Sequence, residues 1–347
     1  MTGEAAKKRR WPGWWSAVGA SIGAFALVWV LWRIDYDRLQ GVVAEADVAF
    51  LLLVPLTIAA EQLVRAWKWR QLLHGIRPIG VLRLFGAIMA GYFANLLVPL
   101  GVSPLVRSWL VARLEALTMS AVLATAAIDR LVDGVIFSGF VAVALIFAVV
   151  PDPGGGVRLG LMVGGAGALT LFAVLLLALA RFKRAAGRTD GRTMRLIERL
   201  PARFAGPVKG FLRSFADGIV WPGERWRGVA IVLAGVVMKL IATTHFLWAG
   251  LAFGVLLRAP DYVFLMVFLG FLIILSRFAR IPGGFFLGSI FALNLLGVGE
   301  ERALAMTLAV QFASMLTIAG VGGLALWRSG VALDDLRLET GDGHGRG

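Results

Sequence analysis

The sequence predicts an all-α polytopic membrane protein. Of its 347 residues, 59% are hydrophobic and 16% are charged, whereas soluble domains carry about 25% charged residues. The apolar residues form long runs without Asp, Glu, Lys or Arg, such as 11–32, 159–180 and 303–327. Each run approaches the ~20 residues that a helix needs to cross a bilayer. The runs lack the alternating polarity of a membrane β-barrel, and lipid offers the backbone no hydrogen-bond partners, so we predict helices.

The charge pattern supports a membrane location and argues against nucleic-acid binding. The net charge of +14 lies mostly in short segments beside the apolar runs, as in cytoplasmic loops and in segments that contact anionic lipid. We therefore expect membrane lipids as partners, with no nucleic acid. The chain has no cysteine and three scattered histidines, so we expect no metal or other cofactor. The sequence indicates no oligomeric state.

The distribution of charge also predicts the orientation of the spans across the membrane. A basic tail, residues 1–10, precedes an uncleaved first span, and the positive-inside rule places that tail in the cytoplasm. Residues 33–47 then lie outside the cytoplasm, and the second span brings the chain back to the cytoplasmic side at Arg65, Lys68 and Arg70. Both termini are expected on the cytoplasmic side of the cell (inner) membrane. The six predicted spans are 17–32, 48–64, 120–150, 159–180, 229–256 and 303–327, within a transmembrane domain of 11–327 and before a polar, disordered tail of 328–347.

Two apolar stretches are interrupted by proline and glycine. The first, 84–106, either crosses the membrane as a broken helix or re-enters and returns. The later loop 181–228 holds twelve Lys/Arg against four Asp/Glu, which suits a cytoplasmic loop and therefore favours re-entry. This loop contains amphipathic stretches that lie either on the membrane surface or in a solvated connector. The second interrupted stretch is 262–298.

The two interrupted stretches resemble each other. Each has an apolar helix, a turn, a short helix and then an Ala-rich helix, and the two start from opposite sides. The sequence thus predicts two re-entrant hairpins in an inverted repeat, although chance similarity of apolar, glycine-rich segments is the alternative. Paired discontinuous segments of this kind often frame a transporter's substrate site. The predicted re-entrant turns contain Pro99, Gly101, Pro282, Gly283 and Gly284.

Ionisable groups at membrane depth indicate function by default. Arg277 and Arg280 precede a Pro-Gly-Gly turn whose N–H groups could face an anion. Glu61 and Arg65, four residues apart, could instead form a structural ion pair. The candidate head-group-binding residues are Asn95, Arg107, Arg130, Lys239, Arg277 and Arg280. The candidates for proton transfer or ion pairing are Glu61, Asp129, Asp133 and His245.

Five motifs together resemble the flippase-like transmembrane family related to the membrane region of lysylphosphatidylglycerol synthetases, which includes hopanoid-biosynthesis-associated membrane proteins. The motifs are RAWKWR at 65–70, GYFANLLVP at 91–99, Arg107, IDRLVD at 128–133, and PGG at 282–284 followed by Gly297-Val298. The resemblance runs from the second span to the last and implies a role in lipid handling.

The chain departs from the family pattern at two acidic positions. The pattern has Gly-Glu shortly before the arginine that Arg107 matches, where this chain has Ser103-Pro104. It also has Gly and Glu after Pro-Gly-Gly, where this chain has Phe286 and Ser289. The resemblance therefore does not carry over the family's usual head-group chemistry. The lysyl-transferring soluble domain has no counterpart in this sequence, so aminoacyl transfer is not implied.

The resulting hypothesis is a flippase or transporter of a polar-headed lipid, anionic or glycosylated, and it is favoured over an enzyme without excluding one. One alternative is a membrane-embedded transferase that acts on a lipid-linked substrate, with Glu61 or Asp129 at a cavity mouth. The other is an accessory subunit that binds lipid-biosynthesis enzymes through the basic loop.

Overall fold

The computed structural model describes residues 35–97, 103–149, 152, 154–186, 202–279 and 283–329, and within these ranges the regular structure is entirely helical. The helices are, in chain order, α1 (Tyr36–Ala44), α2 (Val48–Leu73), α3 (Val81–Leu97), α4 (Ser103–Leu114), α5 (Met119–Phe147), α6 (Gly156–Ala186), α7 (Ala202–Gly218), α8 (Arg225–Ala252), α9 (Ala259–Ala279), α10 (Gly284–Leu295), α11 (Glu300–Thr317) and α12 (Gly323–Arg328). A π-helical turn, Ile318–Gly322, joins α11 to α12.

Six helical segments of the described chain are long and apolar enough to cross a membrane, which confirms the predicted class. They are Val48–Leu73, Met119–Phe147, Gly156–Arg184, Arg225–Ala252, Ala259–Ser276 and Glu300–Arg328. Five of them correspond to predicted spans. The predicted first span, 17–32, the basic tail and residues 330–347 lie outside the described residues. The remaining segment belongs to α9, in the second interrupted stretch.

The end of α2 corrects one sequence-based boundary. We expected this span to end at residue 64 and Arg65 and Lys68 to lie in a cytoplasmic loop. Instead α2 starts at the capping side chain of Asp47, whose carboxylate accepts the Ala49 N–H at 2.8 Å, and continues to Leu73. Arg65 and Lys68 are buried within it. Their burial is possible because carboxylates on α5 pair with them, as described below.

The helices form two similar halves, α2–α5 and α8–α12. In each half a long span is followed by an apolar helix, a helix of 12 residues and an Ala-rich segment of 29 residues. The first helices of the halves, α2 and α8, pack together and run antiparallel. The Asp47 N–H donates to the Ala252 carbonyl at 2.9 Å, and Arg227 donates to Gln71 at 2.7 Å at the opposite end. The first helices of the two halves therefore run in opposite directions, as an inverted repeat requires.

A hairpin follows the first helix of each half. In the first hairpin, Arg83 at the start of α3 pairs with Glu115 just beyond α4 at 3.0 Å, so α4 returns to the side from which α3 departs. Gly91 allows the two helices to approach, since a Cβ there would lie 2.9 Å from the Ser103 carbonyl. Pro99 and Gly101 lie outside the described residues.

The second hairpin consists of α9 and α10. Gly283 has φ +76°, a left-handed conformation that favours glycine, and it forms the turn into α10. Gly284 packs so tightly that a Cβ would lie 2.3 Å from the Ser276 Cβ. Pro282 lies outside the described residues. Both hairpins thus have the predicted fold-back, and their re-entry into the bilayer remains a prediction.

Part of the basic loop packs onto the helical body. Gly218 at the end of α7 touches Ala121 of α5, where a Cβ would lie 2.3 Å from the backbone oxygen. Ser214 and Thr118 hydrogen-bond through their hydroxyls at 2.5 Å, and the Phe215 ring meets the Phe182 ring of α6 edge-on. This part of the loop is therefore a docked helix rather than a separate solvated connector.

Candidate functional site

A group of ionisable side chains lies where α2, α4, α5 and α8 meet, near the middle of α5 and α8. We call it the charged cluster. Its members are Glu61, Arg65, Lys68, Arg107, Asp129 and Asp133, which are joined by ion pairs, together with Arg130 and Lys239, which interact with them electrostatically. Arg65 and Lys68 are three residues apart on α2, and Asp129 and Asp133 are four apart on α5, so each pair occupies one face of its helix. The two faces are turned toward each other.

Asp133 joins α5 to α2. Its carboxylate accepts a hydrogen bond from Arg65 Nη1 at 3.1 Å and also contacts the Lys68 ammonium. Arg65 in turn binds Glu61 on its own helix at 3.0 Å and donates from Nε to Gln62 at 3.0 Å. The Arg65 guanidinium therefore has partners on three sides, as a buried charge requires.

Asp129 joins α5 to both α2 and α4. Lys68 Nζ lies 2.9 Å from Asp129 Oδ1, and Arg107 Nη2 lies 3.3 Å from Oδ2. Oδ1 accepts no aligned hydrogen bond, so we describe the Lys68 contact as an ion pair. The side chains of Lys68 and Asp129 are fully buried and that of Arg107 is 1% exposed. These charges stabilise one another in the absence of bulk water.

Trp69 holds Arg107 from the other side. The Arg107 guanidinium carbon lies 4.7 Å from the centre of the indole ring, a distance typical of cation–π contact. The Trp69 Nε1–H donates to the Thr125 hydroxyl at 3.0 Å, and this hydroxyl donates to the Val122 carbonyl at 2.7 Å. The fully buried indole is thereby fixed between α2, α4 and α5.

The charged cluster carries an excess of positive charge. Its three carboxylates pair with three of its five cations: Arg65, Lys68 and Arg107. Arg130 and Lys239 are partly buried, and neither forms a salt bridge within the described part of the chain. Two positive charges of the cluster are thus unmatched by any carboxylate of the described residues. An uncompensated charge of this kind inside a protein is costly and favours binding of an anion.

Arg107 adds hydrogen-bond donors to this excess charge. Among the described residues, its buried Nε and Nη1 atoms have no hydrogen-bond partner. The same holds for the buried hydroxyls of Ser103 and Ser108, on the same helix α4. Buried polar groups are normally paired, so these donors could bind the oxygens of an anionic group. Lys239 reaches the cluster from α8, and its Nζ lies 5.5 Å from the centre of the Phe137 ring of α5.

The structure brings together six of the ten polar residues that the sequence singled out: Glu61, Arg107, Asp129, Arg130, Asp133 and Lys239. His245 lies at the edge, with Nε2 3.9 Å from Glu61 Oε2. Asn95 is on α3, and its buried Oδ1 has no partner. The Arg277 side chain and all of Arg280 lie outside the described residues, so their predicted contribution stays untested.

Sequence reasoning missed Lys68, Trp69 and Thr125 as members of the site or its support. A cation that follows an apolar run is typical of a cytoplasmic loop, so the sequence predicts a loop position for Lys68. The available signal is the helical spacing within each pair, three residues for Arg65 and Lys68 and four for Asp129 and Asp133, because either spacing places two charges on one helix face. Trp69 and Thr125 carry no comparable signal, because their pairing joins residues 56 positions apart.

Comparison with known proteins identifies one family. The family model described as "Lysylphosphatidylglycerol synthase TM region" matches residues 16–322. That match includes every residue of the charged cluster and both hairpins. No curated protein and no solved structure matches the chain.

Proposed function

Because the chain belongs to the lysylphosphatidylglycerol synthase TM region family, we propose that it moves a lipid with an anionic head group between the leaflets of the cell membrane. The observation that carries this proposal is the positive excess of the charged cluster, represented by Arg130 and Lys239. A lipid phosphate would supply the negative charge that the three carboxylates do not provide. It would also accept hydrogen bonds from the unpartnered donors of Arg107.

The position of the cluster suits a translocating lipid better than a surface-bound one. Lys239 is near the middle of α8, and Asp129 and Asp133 are near the middle of α5, far from the ends of both spans. A charge at that depth in lipid is expensive, so a fixed cationic site lowers the barrier for an anion that passes through. The carboxylate-paired cations keep the site rigid, and the two unpaired cations interact with the head group.

The arrangement of helices offers a route. The two hairpins, α3–α4 and α9–α10, belong to inverted halves and in our proposal enter from opposite faces of the membrane. Arg107 is on the first hairpin, so a movement of α4 relative to α5 would change access to the cluster. The positive-inside rule, applied to the basic segment 181–228, supports a cytoplasmic location for the adjoining face, and in our proposal both termini lie on that side.

The test is a leaflet-exchange assay in proteoliposomes. Fluorescent phosphatidylglycerol is protected or bleached by external dithionite according to the leaflet that it occupies. We expect the wild-type protein to exchange this lipid, and K239Q and R130Q to slow exchange about tenfold or more, since a hydrogen bond to a charged group contributes about 1.5–3 kcal/mol. R225Q is the matched control, because Arg225 is an exposed cation at the start of the same helix as Lys239.

The outcomes separate a head-group role from a general loss of folding. K239Q and R130Q that elute as monodisperse species, unfold at the wild-type temperature and still exchange slowly would support the proposal. Exchange at the wild-type rate in both variants would refute it. Slow exchange in R225Q as well would point to surface charge rather than to the cluster.

A further inference from the structure

A groove between α6 and α9 is separate from the charged cluster. It encloses about 450 Å3, within the ~300–1,000 Å3 typical of ligand sites. Within the described part of the chain, its walls are made of glycine and apolar side chains, including Gly156, Gly160 and Leu161 on α6 and Phe268, Phe271 and Leu275 on α9. The contacts that these residues offer to an occupant are therefore apolar.

Two glycines create this space. A Cβ added at Gly156 or at Gly160 would meet no atom within 4 Å, so neither glycine serves close helix packing. One turn further along α6, a Cβ at Gly164 would lie 3.3 Å from the Phe271 ring. At this point α6 and α9 come into contact. The first two turns of α6 are thus separated from α9 by empty volume.

The groove is linked to the charged cluster by two aromatic rings. Phe271 on its inner wall packs edge-on against Phe137 of α5, with ring centres 5.2 Å apart. The same Phe137 ring lies 5.5 Å from Lys239 Nζ. Gly270 permits this approach, since a Cβ there would lie 2.7 Å from the Phe137 ring. The Phe271 and Phe137 rings therefore lie between the apolar groove and Lys239, one of the two cations without a carboxylate partner.

We infer that the groove holds one hydrocarbon tail of the lipid whose anionic head group binds at Lys239. This inference rests on the proposed function and adds a site for the apolar part of the substrate. Both walls belong to candidate membrane spans, so the surrounding medium is hydrocarbon, which a lipid tail shares. Ile274 and Leu275 on the rim are 47% and 62% exposed, which leaves the groove open for a tail to enter sideways.

This site fixes the orientation of the lipid. With its tail between α6 and α9, the lipid presents its head group on the far side of Phe137, next to Lys239 and within the helices. Phe137 then separates the apolar part of the site from the charged part. A zwitterionic lipid such as phosphatidylcholine would fit the groove equally well, but its choline cation would be repelled by the excess positive charge of the cluster. The tail site therefore provides affinity, and the cluster provides selectivity for net negative charge.

The experiment uses photo-crosslinking in nanodiscs. The probe is phosphatidylglycerol with a diazirine in one acyl chain, diluted into phosphatidylcholine, and labelled peptides are mapped by mass spectrometry. G160L places a larger side chain in the groove, and the Cβ of this side chain would meet no atom within 4 Å. G167L is the matched control on the same helix, since Gly167 also faces open space and does not line the groove.

In the wild-type protein, we expect adducts to concentrate on 156–161 and 268–275. In G160L these adducts should fall at least about fivefold, because the new side chain takes up the van der Waals contacts available to the tail, and G167L should label like wild type. A phosphatidylcholine probe with the same tail should label the groove less, and K239Q should remove this difference. Uniform labelling of all lipid-facing helices would overturn the inference, and so would groove labelling in G160L that equals that of the wild type.

A parallel leaflet-exchange measurement separates this inference from the proposed function. One result is that G160L abolishes labelling of the groove but the wild-type protein exchanges no lipid. This result would support the tail site and refute the proposed transport function. The opposite result is that K239Q slows lipid exchange while G160L leaves the labelling of the groove unchanged. This result would refute the tail site and leave the proposed transport function intact.

Discussion

Neutralising Asp129 tests the charge balance of the buried cluster. D129N keeps the size of the side chain but raises the positive excess from two charges to three. Lys68 keeps its contact with Asp133. Arg107, however, loses its one carboxylate in the described structure while its side chain remains 1% exposed, and two of its donors already lack partners. The variant therefore leaves a buried guanidinium without a counterion.

The size of the effect follows from this arrangement. Removing one partner of a buried ion pair destabilises proteins by about 3–5 kcal/mol, and we expect D129N to fall in this range. The double variant D129N/R107Q removes the isolated guanidinium and restores the excess of two charges. It should recover at least ~1 kcal/mol of the loss, because interacting residues show coupling energies of about 0.5–3 kcal/mol.

The assay is reversible unfolding in mixed micelles of sodium dodecyl sulfate, followed by tryptophan fluorescence. E224Q is the control, since Glu224 pairs with Arg227 at 3.1 Å but is 55% exposed, and exposed pairs contribute about 0–1 kcal/mol. A D129N protein within ~0.5 kcal/mol of wild type, the range of ordinary surface substitutions, would show that the cluster is hydrated and would refute the reasoning from burial.

Two further substitutions test the packing around the site. T125V removes the acceptor of the Trp69 indole, and we expect a loss of about 1–3 kcal/mol in the free energy of unfolding because a buried donor is left unpaired; T57V, which removes only a hydroxyl bonded within its own helix, should change this value less. G322A should lower the unfolding temperature markedly, since its Cβ would lie 2.4 Å from the Met89 carbonyl oxygen. G320A in the same π-helical turn meets no atom, and equal unfolding temperatures for the two glycine variants would contradict the packing of this turn against α3.

Much of the fold could be predicted because its signals are local. A run such as 303–327 identifies a span without knowledge of its neighbours, and a Pro-Gly-Gly turn indicates a break in a helix. The order of helices in the two halves also follows from such local signals. The antiparallel relation of α2 and α8 agrees with the inverted repeat inferred from the charge pattern.

The end of α2 could not be predicted in this way. Arg65 and Lys68 follow an apolar run, and the positive-inside rule assigns such residues to a loop. Their burial depends on Asp129 and Asp133, which lie more than 60 positions away in the sequence. The energy of a buried charge is decided by its partner, and the partner is known only once the helices are placed.

The groove shows the same limit for apolar residues. Gly160 and Gly164 lie on one helix face, one turn apart, and each is a glycine within the same apolar run. The structure gives them different roles, because Gly164 faces the Phe271 ring and Gly160 faces empty space. Whether a membrane glycine permits contact or leaves a cavity depends on the opposite helix.

Lipid binding by native mass spectrometry tests the central claim most directly. The purified protein is offered equal amounts of phosphatidylglycerol and phosphatidylcholine, and the bound lipid is read from the mass of the complex. We predict a preference for phosphatidylglycerol that falls about tenfold or more in R130Q/K239Q, equivalent to at least ~1.4 kcal/mol, and persists in R225Q. An unchanged preference in R130Q/K239Q would contradict the assignment of these two cations to an anionic head group.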